Sequence, residues 1–389
     1  MKSPTFRTFL PPILLGLGTA VSLGFSRFDY ALILPSMKKN LGLNFTEAGW
    51  LNTANAAGYL LGAVMAKFLI DRYRAEALFR SAMILTSVAV LTTGLTHYWF
   101  LLVFLRVLAG AFGALSFICG GILVACLFPG EPGRTAASIS IYMSGGGIGI
   151  LLSGLTLPAL FSRWGDGCWP WAWGLLGIAS LLFTAFSWSA SGNTEKGFKA
   201  HPGTSSWSAG SFLPLLAGYF LFGAGYIIYM TYIVAWARDS GHSANTISLF
   251  WALLGAAVIV SPLLWRRALS GWGSGRPMGA AIGMTALGSL IPLFSTSFPS
   301  MMFSAILFGL AFLNVPAAMT SFLQRSLPRP LWGTSIAFFT VIFSLGQIVG
   351  PVIGGKMADR AGHLSAGLTL SFASLSAGAL IALFQREFR

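Results

Sequence analysis

The sequence predicts an all-α membrane protein, with twelve transmembrane helices in two pseudo-symmetric six-helix bundles. Three observations lead there. Charged residues are only 9% of the 389 residues and hydrophobic ones are 55%, whereas an ordinary soluble domain carries about 25% charged. So few charges cannot give a chain of this size a water-facing shell, which excludes a soluble globular enzyme, a disordered chain and a coiled coil. The apolar residues fall in runs of about 20, long enough to cross a bilayer, and such runs must be helices because lipid offers the backbone no partners. Finally, the two halves of the chain resemble each other across one long polar connection.

The elements follow in order. Residues 11–36 come after Lys2 and Arg7; no small-residue cleavage site follows, and the run continues through Arg27 and Asp29 to Pro35, so it reads as a mature spanning helix rather than a signal peptide. Residues 46–70 carry Asn52, Asn55 and Tyr59 on one face of an otherwise apolar helix. Residues 77–96 are apolar, and 99–127 hold Arg106 together with Cys119 and Cys126, which read as packing residues. Residues 135–161 contain the glycine run at 145–149, and 170–190 close the first bundle, residues 1–190. Residues 191–210 are polar and rich in Gly and Ser, a cytoplasmic linker. The second bundle, 211–389, has spans at 211–237, 246–265, 278–297, 300–323, 332–356 and 364–384.

Orientation follows from the basic residues. With the N-terminus in the cytoplasm, the inside segments hold sixteen Lys and Arg, the outside segments six, and Arg27 and Arg106 lie within helices. That asymmetry places both termini inside. It also accounts for the net charge of +14 without an anionic partner: the basic residues are scattered singly, with no face or tail for nucleic acid. Three cysteines make no disulfide framework, and the four histidines lie too far apart for a metal motif, so no metal and no cofactor are expected.

The internal resemblance is ordered. GFSRFDYALILP (24–35) aligns with GAGYIIYMTYIV (223–234) and RVLAG (106–110) with AILFG (305–309), both at an offset of 199. GGGIGILLSG (145–154) aligns with GQIVGPVIGG (346–355) at an offset of 201. Such a parallel duplication of six-helix repeats is an architecture of secondary transporters.

Three motifs resemble those of the major facilitator superfamily. GQIVGPVIGG fits its G-x-x-x-G-P-x-x-G-G helix motif through Gly346, Gly350, Pro351, Gly354 and Gly355; Gly145 and Gly149 stand in the equivalent run of the first half. RVLAGAFGAL (106–115) resembles its fourth-helix motif. IDRYR (70–74), with Asp71 and Arg72, resembles the core of its cytoplasmic loop motif, although the opening glycine is missing and the second half keeps Arg266 and Arg267 without an Asp. SRFDYALILPSM (26–37) with GWLNTANAAGYLLGA (49–63) is similar to a branch of short bacterial carriers, the YbfB/YjiJ type. The resemblance implies a twelve-helix carrier in the bacterial inner membrane, a small-molecule substrate, alternating access, and a monomer.

The side chains that carry chemistry are few. Arg27 lies roughly 3 Å from the middle of the first span, where insertion costs about 2.5–3.5 kcal/mol. It reads either as a ligand for a carboxylate or phosphate, whose geometry its fork matches, or as a structural ion pair with Asp29 or a capped helix break. Asp29 is the one acidic residue well inside a span. On a regular helix it points away from Arg27. A carboxylate that takes up and releases a proton away from water suits a proton carrier. Contact between Asp29 and Arg106 reads either as a protonation switch or as a permanent brace. Asn52, Asn55 and Tyr59 line a substrate path or glue helices together. Tyr226, Tyr229 and Tyr232 form a stripe in which Tyr226 is the repeat-mate of Arg27 and Tyr229 of Tyr30; the stripe binds substrate or packs. Asn314 and Gln347 are further candidates. The glycines allow close packing, or sliding between faces.

The expected function is proton-linked transport of a small organic anion. The alternative is proton-driven export of lipophilic or cationic compounds, with Asp29 as the cation site; a sensor that binds without transporting is a further reading. An enzyme is not expected, since no histidine lies well inside a span and Asp29 has no acidic mate. No phosphate loop for a primary pump occurs.

Overall fold

The computed structural model describes residues 6–192, 208–328 and 331–387. Most of the expected linker, residues 193–207, lies outside these, as do Lys2, Lys196, Lys199, Arg329 and Arg389. Among the described residues there is no strand.

Twelve long helical stretches follow one another. The first, α1, is composite: α-helix at Phe6–Thr19, π-helix at Ala20–Phe28 and α-helix again at Tyr30–Leu41. It is followed by α2 (Phe45–Leu69), α3 (Ala75–Thr93), α4 (Trp99–Ala125), α5 (Pro132–Trp164) and α6 (Trp169–Ser191). Then come α7 (Leu213–Asp239), α8 (Ala244–Gly271) and α9 (Arg276–Phe294). The tenth stretch, α10, has two pieces, Phe298–Ala311 and Asn314–Ser326, and α11 (Trp332–Ala361) and α12 (Ser365–Leu383) complete the set. The first and eleventh end in the left-handed conformation at Gly42 (φ +66°) and Gly362 (φ +74°), which a side chain would strain.

Eleven of these stretches are long and apolar enough to cross a membrane; the exception is α2. Its Asn52, Thr53 and Asn55 are 1–3% exposed, so it spends its polarity on neighbouring helices rather than lipid. The outer surface is apolar, with Phe68, Phe100, Phe186 and Leu263 each more than half exposed. That distribution fits a hydrocarbon solvent.

The chain divides into two compact units. Of the described residues, the first holds those up to Gly42 and from Ala54 to Gly192; the second holds Leu43–Thr53 and those from Ser208 onward. The first turns of α2 thus belong with the second unit, although sequence assigns all of 46–70 to the first bundle. Their contacts explain it: Asn52 Nδ2 donates to Thr231 Oγ1 (2.5 Å) and Thr53 Oγ1 to the Ile348 carbonyl (2.7 Å).

Each unit is seamed by glycine. In the first, a Cβ at Gly58 or Gly62 would land on the carbonyl of Val107 or Ala111, and one at Gly110 on that of Asn55, so α2 and α4 touch backbone to backbone. Gly145 sits against the Gly16 carbonyl, and Gly149 lies on Gly24, joining α5 to α1. In the second, Gly346 sits on the Phe220 carbonyl, Gly350 on that of Ala224 and Gly354 on Ile228, joining α11 to α7. Pro351 and Gly355 meet Tyr232, whose hydroxyl donates to the Pro351 carbonyl (2.6 Å). In both units, therefore, the glycine-rich helix closes on the unit's own first helix, as an internal duplication requires.

Candidate functional site

The first unit gathers the ionisable residues of its interior. The π-helical turn Ala20–Phe28 carries Arg27 at its end, and Asp29 is the residue at which α-helix resumes. The Asp29 amide reaches back five residues to the Gly24 carbonyl (3.0 Å). This wider turn changes the phase of α1, so the regular-helix geometry expected for Arg27 and Asp29 does not apply. π-Turns are rare and concentrate at functional sites.

Arg27, Asp29 and Arg106 are 3%, 0% and 1% exposed. The Arg27 guanidinium lies over the Tyr59 ring, 4.9 Å from its centroid, with Nε and Nη2 free of any hydrogen bond. Arg106 faces two rings, Tyr30 at 5.2 Å and Trp173 at 5.0 Å, and none of its three guanidinium nitrogens has a hydrogen-bond partner. The Tyr30 and Trp173 rings are themselves stacked, 6.4 Å apart and 20° from parallel. Asp29 Oδ1 instead accepts from Ser153 Oγ of α5 (2.6 Å). Arg106 makes no hydrogen bond to Asp29: aromatic faces lie against the arginine, and a hydroxyl donates to the carboxylate. Asn55 Nδ2 donates to the carbonyls of both Ser26 (3.4 Å) and Arg106 (3.2 Å), so the backbones bearing the two arginines meet at one amide.

The polar face expected on α2 is therefore divided. Asn52 binds Thr231 in the second unit, Asn55 spends its amide on backbone carbonyls, and Tyr59 lies under Arg27.

In the second unit the tyrosine stripe of α7 disperses into packing. Tyr226 joins near-parallel rings of Phe222 (4.9 Å, 16°), Phe343 (5.7 Å, 8°) and Phe312 (5.9 Å, 23°). Its hydroxyl accepts a short hydrogen bond from Gln347 Nε2, while Gln347 Oε1 is buried without a partner. Tyr229 shares a hydrogen bond with Ser304 (2.6 Å) and stacks on Phe308 (4.1 Å). Tyr232 bonds the Phe45 and Pro351 carbonyls. Asn314 opens the second piece of α10 and returns its amide to the Leu310 carbonyl (3.1 Å) across the break. Asp71 and Arg72 are exposed, and neither side chain makes an ion pair or hydrogen bond with another described residue. Ionic contacts at that end of the unit join Glu76 to Arg74 (2.8 Å) and Arg80 (2.7 Å), and Glu131 to Arg134 (2.9 Å).

Two residues of the site escape sequence reasoning. Trp173 looks like any lipid-facing tryptophan in an apolar run. Ser153 did leave a signal: it stands in the first half where Gly354 stands in the second, a hydroxymethyl group replacing a hydrogen in a run that keeps the glycines at 145, 149 and 154.

The family model described as "Uncharacterised MFS-type transporter YbfB" matches residues 19–383. The putative transporter AraJ of Escherichia coli K12 is 25% identical over 382 residues, covering 94% of this chain and 91% of that protein. Among solved structures, the nucleoside transporter NupG superposes with a TM-score of 0.71 at 12% identity, covering 97% of this chain and 98% of that one. A bacterial homologue of the human lysosomal transporter Spinster, inward-facing and occupied, gives 0.69 at 16% identity, covering 98% and 95%. At those identities the two structures speak for the fold alone.

Proposed function

We propose that this chain, which belongs to the YbfB-type family of the major facilitator superfamily and is a multi-pass membrane transporter, moves a small organic anion across the bacterial inner membrane by proton-linked alternating access. The observation that carries the reading is Arg27. A guanidinium 3% exposed, with two nitrogens unspent and only a ring face beside it, is a costly cation in the middle of a membrane helix. The ring stabilises the charge but takes up none of the N–H donors. A carboxylate or phosphate fits that fork, and the desolvation already spent on the arginine is what gives the anion its hold.

Asp29 supplies the proton side. It is fully buried in the same unit, and its Ser153 partner is a neutral hydroxyl that accommodates either protonation state, as donor to a carboxylate or as acceptor from an acid. A carboxylate whose occupancy changes as the carrier exposes its two faces couples proton movement to substrate movement. The distribution of Lys and Arg supports a cytoplasmic position for both termini.

The test is thermal stabilisation of the purified protein by small carboxylates, phosphates and lipophilic cations, followed by flux in proteoliposomes. A ligand at 100 times its Kd raises stability by about 2.7 kcal/mol. Carboxylates or phosphates are expected to stabilise the protein, Arg27→Ala to abolish the shift, and Asp29→Asn to retain binding while uncoupling flux from the proton gradient. Stabilisation by cations alone overturns the anion reading in favour of export, with Asp29 as the residue to mutate. Binding without flux makes the protein a sensor.

A further inference from the structure

Arg106 has no task in the reading above, yet its surroundings match those of Arg27. It is 1% exposed and all three of its guanidinium nitrogens lack a hydrogen-bond partner. Tyr30 and Trp173 present ring faces at 5.2 and 5.0 Å, which hold the plane of the guanidinium and leave its N–H edges available. Asp29, the acidic residue that sequence pairs with it, is engaged by Ser153 on α5. Asn55 bonds the carbonyl preceding Arg27 and the carbonyl of Arg106 itself, so the two cations spring from one junction of α1, α2 and α4. The two buried guanidiniums have five nitrogens unspent between them, and two like charges in one low-dielectric interior repel each other. One negative charge satisfies one of them and leaves the other as it was.

We propose that Arg106 is a second anion ligand beside Arg27, and that the substrate is a small dianion, a dicarboxylate or a phosphate ester, with one charge met by each arginine. This rests on the anion reading of Arg27 and narrows it. It also makes Arg106 a ligand in its own right, not the counter-charge of Asp29.

The experiment uses the purified full-length protein and matched probes that differ by one charge: malonate, succinate and glutarate against their monomethyl esters, and inorganic phosphate. For the best-fitting skeleton the dianion is expected to bind roughly 10- to 100-fold tighter than its monoester, the worth of one charge-assisted pair. Arg106→Gln should bring the dianion down to the level of the monoester, leaving monoester affinity within about twofold. Arg27→Gln should weaken both. Arg106→Lys, which keeps the charge and loses the fork, should fall between wild type and Arg106→Gln, and it serves where the glutamine variant does not fold. Equal affinity for dianion and monoester in the wild type overturns the proposal, and so does an Arg106→Gln variant that weakens both probes alike or neither. In those cases the anion reading stands if Arg27→Gln still removes binding. If no probe binds, both readings fall.

Discussion

At the scale of single residues, rarity made the site visible and environment defined it. Arg27, Asp29 and Arg106 stand out in the sequence because a charge inside an apolar run needs a reason to be there. Their partners were not legible. A spacing of two residues sets an angle only if the helix is regular, and the π-turn at Ala20–Phe28 breaks that assumption without a proline or any other local sign. Nor does sequence say that an arginine will be held by rings instead of a carboxylate. Tyr59 tests that arrangement. If its face is what steadies Arg27, Tyr59→Phe keeps the ring and holds affinity for the best-binding anion close to wild type. Tyr59→Leu removes the quadrupole and should cost about 0.5–2 kcal/mol. Isothermal titration of both variants separates the two. An equal loss in both would assign the effect to the hydroxyl instead.

At the scale of elements, glycine decides where helices meet. The two motif-bearing helices were recognisable from G-x-x-x-G spacing, and each closes on the first helix of its own unit. The seam between α2 and α4 was less plain: Gly58 and Gly62 lie in the run 49–63 and Gly110 in the fourth-helix motif, but neither stretch says that the two helices meet there. Its consequence is specific: that seam carries Asn55, and through it the two arginine backbones. Gly58→Ala puts a methyl group on the Val107 carbonyl, backbone that cannot swing aside. It should destabilise the protein by about 1–3 kcal/mol, with anion binding lost in parallel. Gly174→Ala in α6 is the control, since nothing lies within 4 Å of a Cβ there and the change should stabilise the helix by about 0.5–1 kcal/mol. Melting curves of the two variants report the difference directly, and a neutral Gly58→Ala would mean that the seam yields.

At the scale of the whole molecule, the number of spans and their orientation rest on different physics, and only the first depends on hydrophobicity. Twelve helices are readable because each run is long enough to cross a bilayer, even α2, which is too polar to stand among the other eleven by composition. Orientation rests on the loops alone. In the first unit, one end carries Lys67, Arg72, Arg74, Arg80 and Arg134, and the other Lys38, Arg163 and Lys39, which pairs with Asp166 (2.9 Å). In the second, one end has Arg266, Arg267, Arg276 and Arg325, and the other Arg238, Lys356 and Arg360. The excess at the first-named end of each unit predicts that this end is cytoplasmic. Single cysteines test it, after Cys119, Cys126 and Cys168, all free thiols, have been replaced by serine. In intact cells a membrane-impermeant thiol reagent should label Gly42→Cys and Gly241→Cys, both at turns, and leave Arg74→Cys untouched until the membrane is opened. Labelling in the reverse order would invert the topology, and with it the face from which Arg27 first meets its anion.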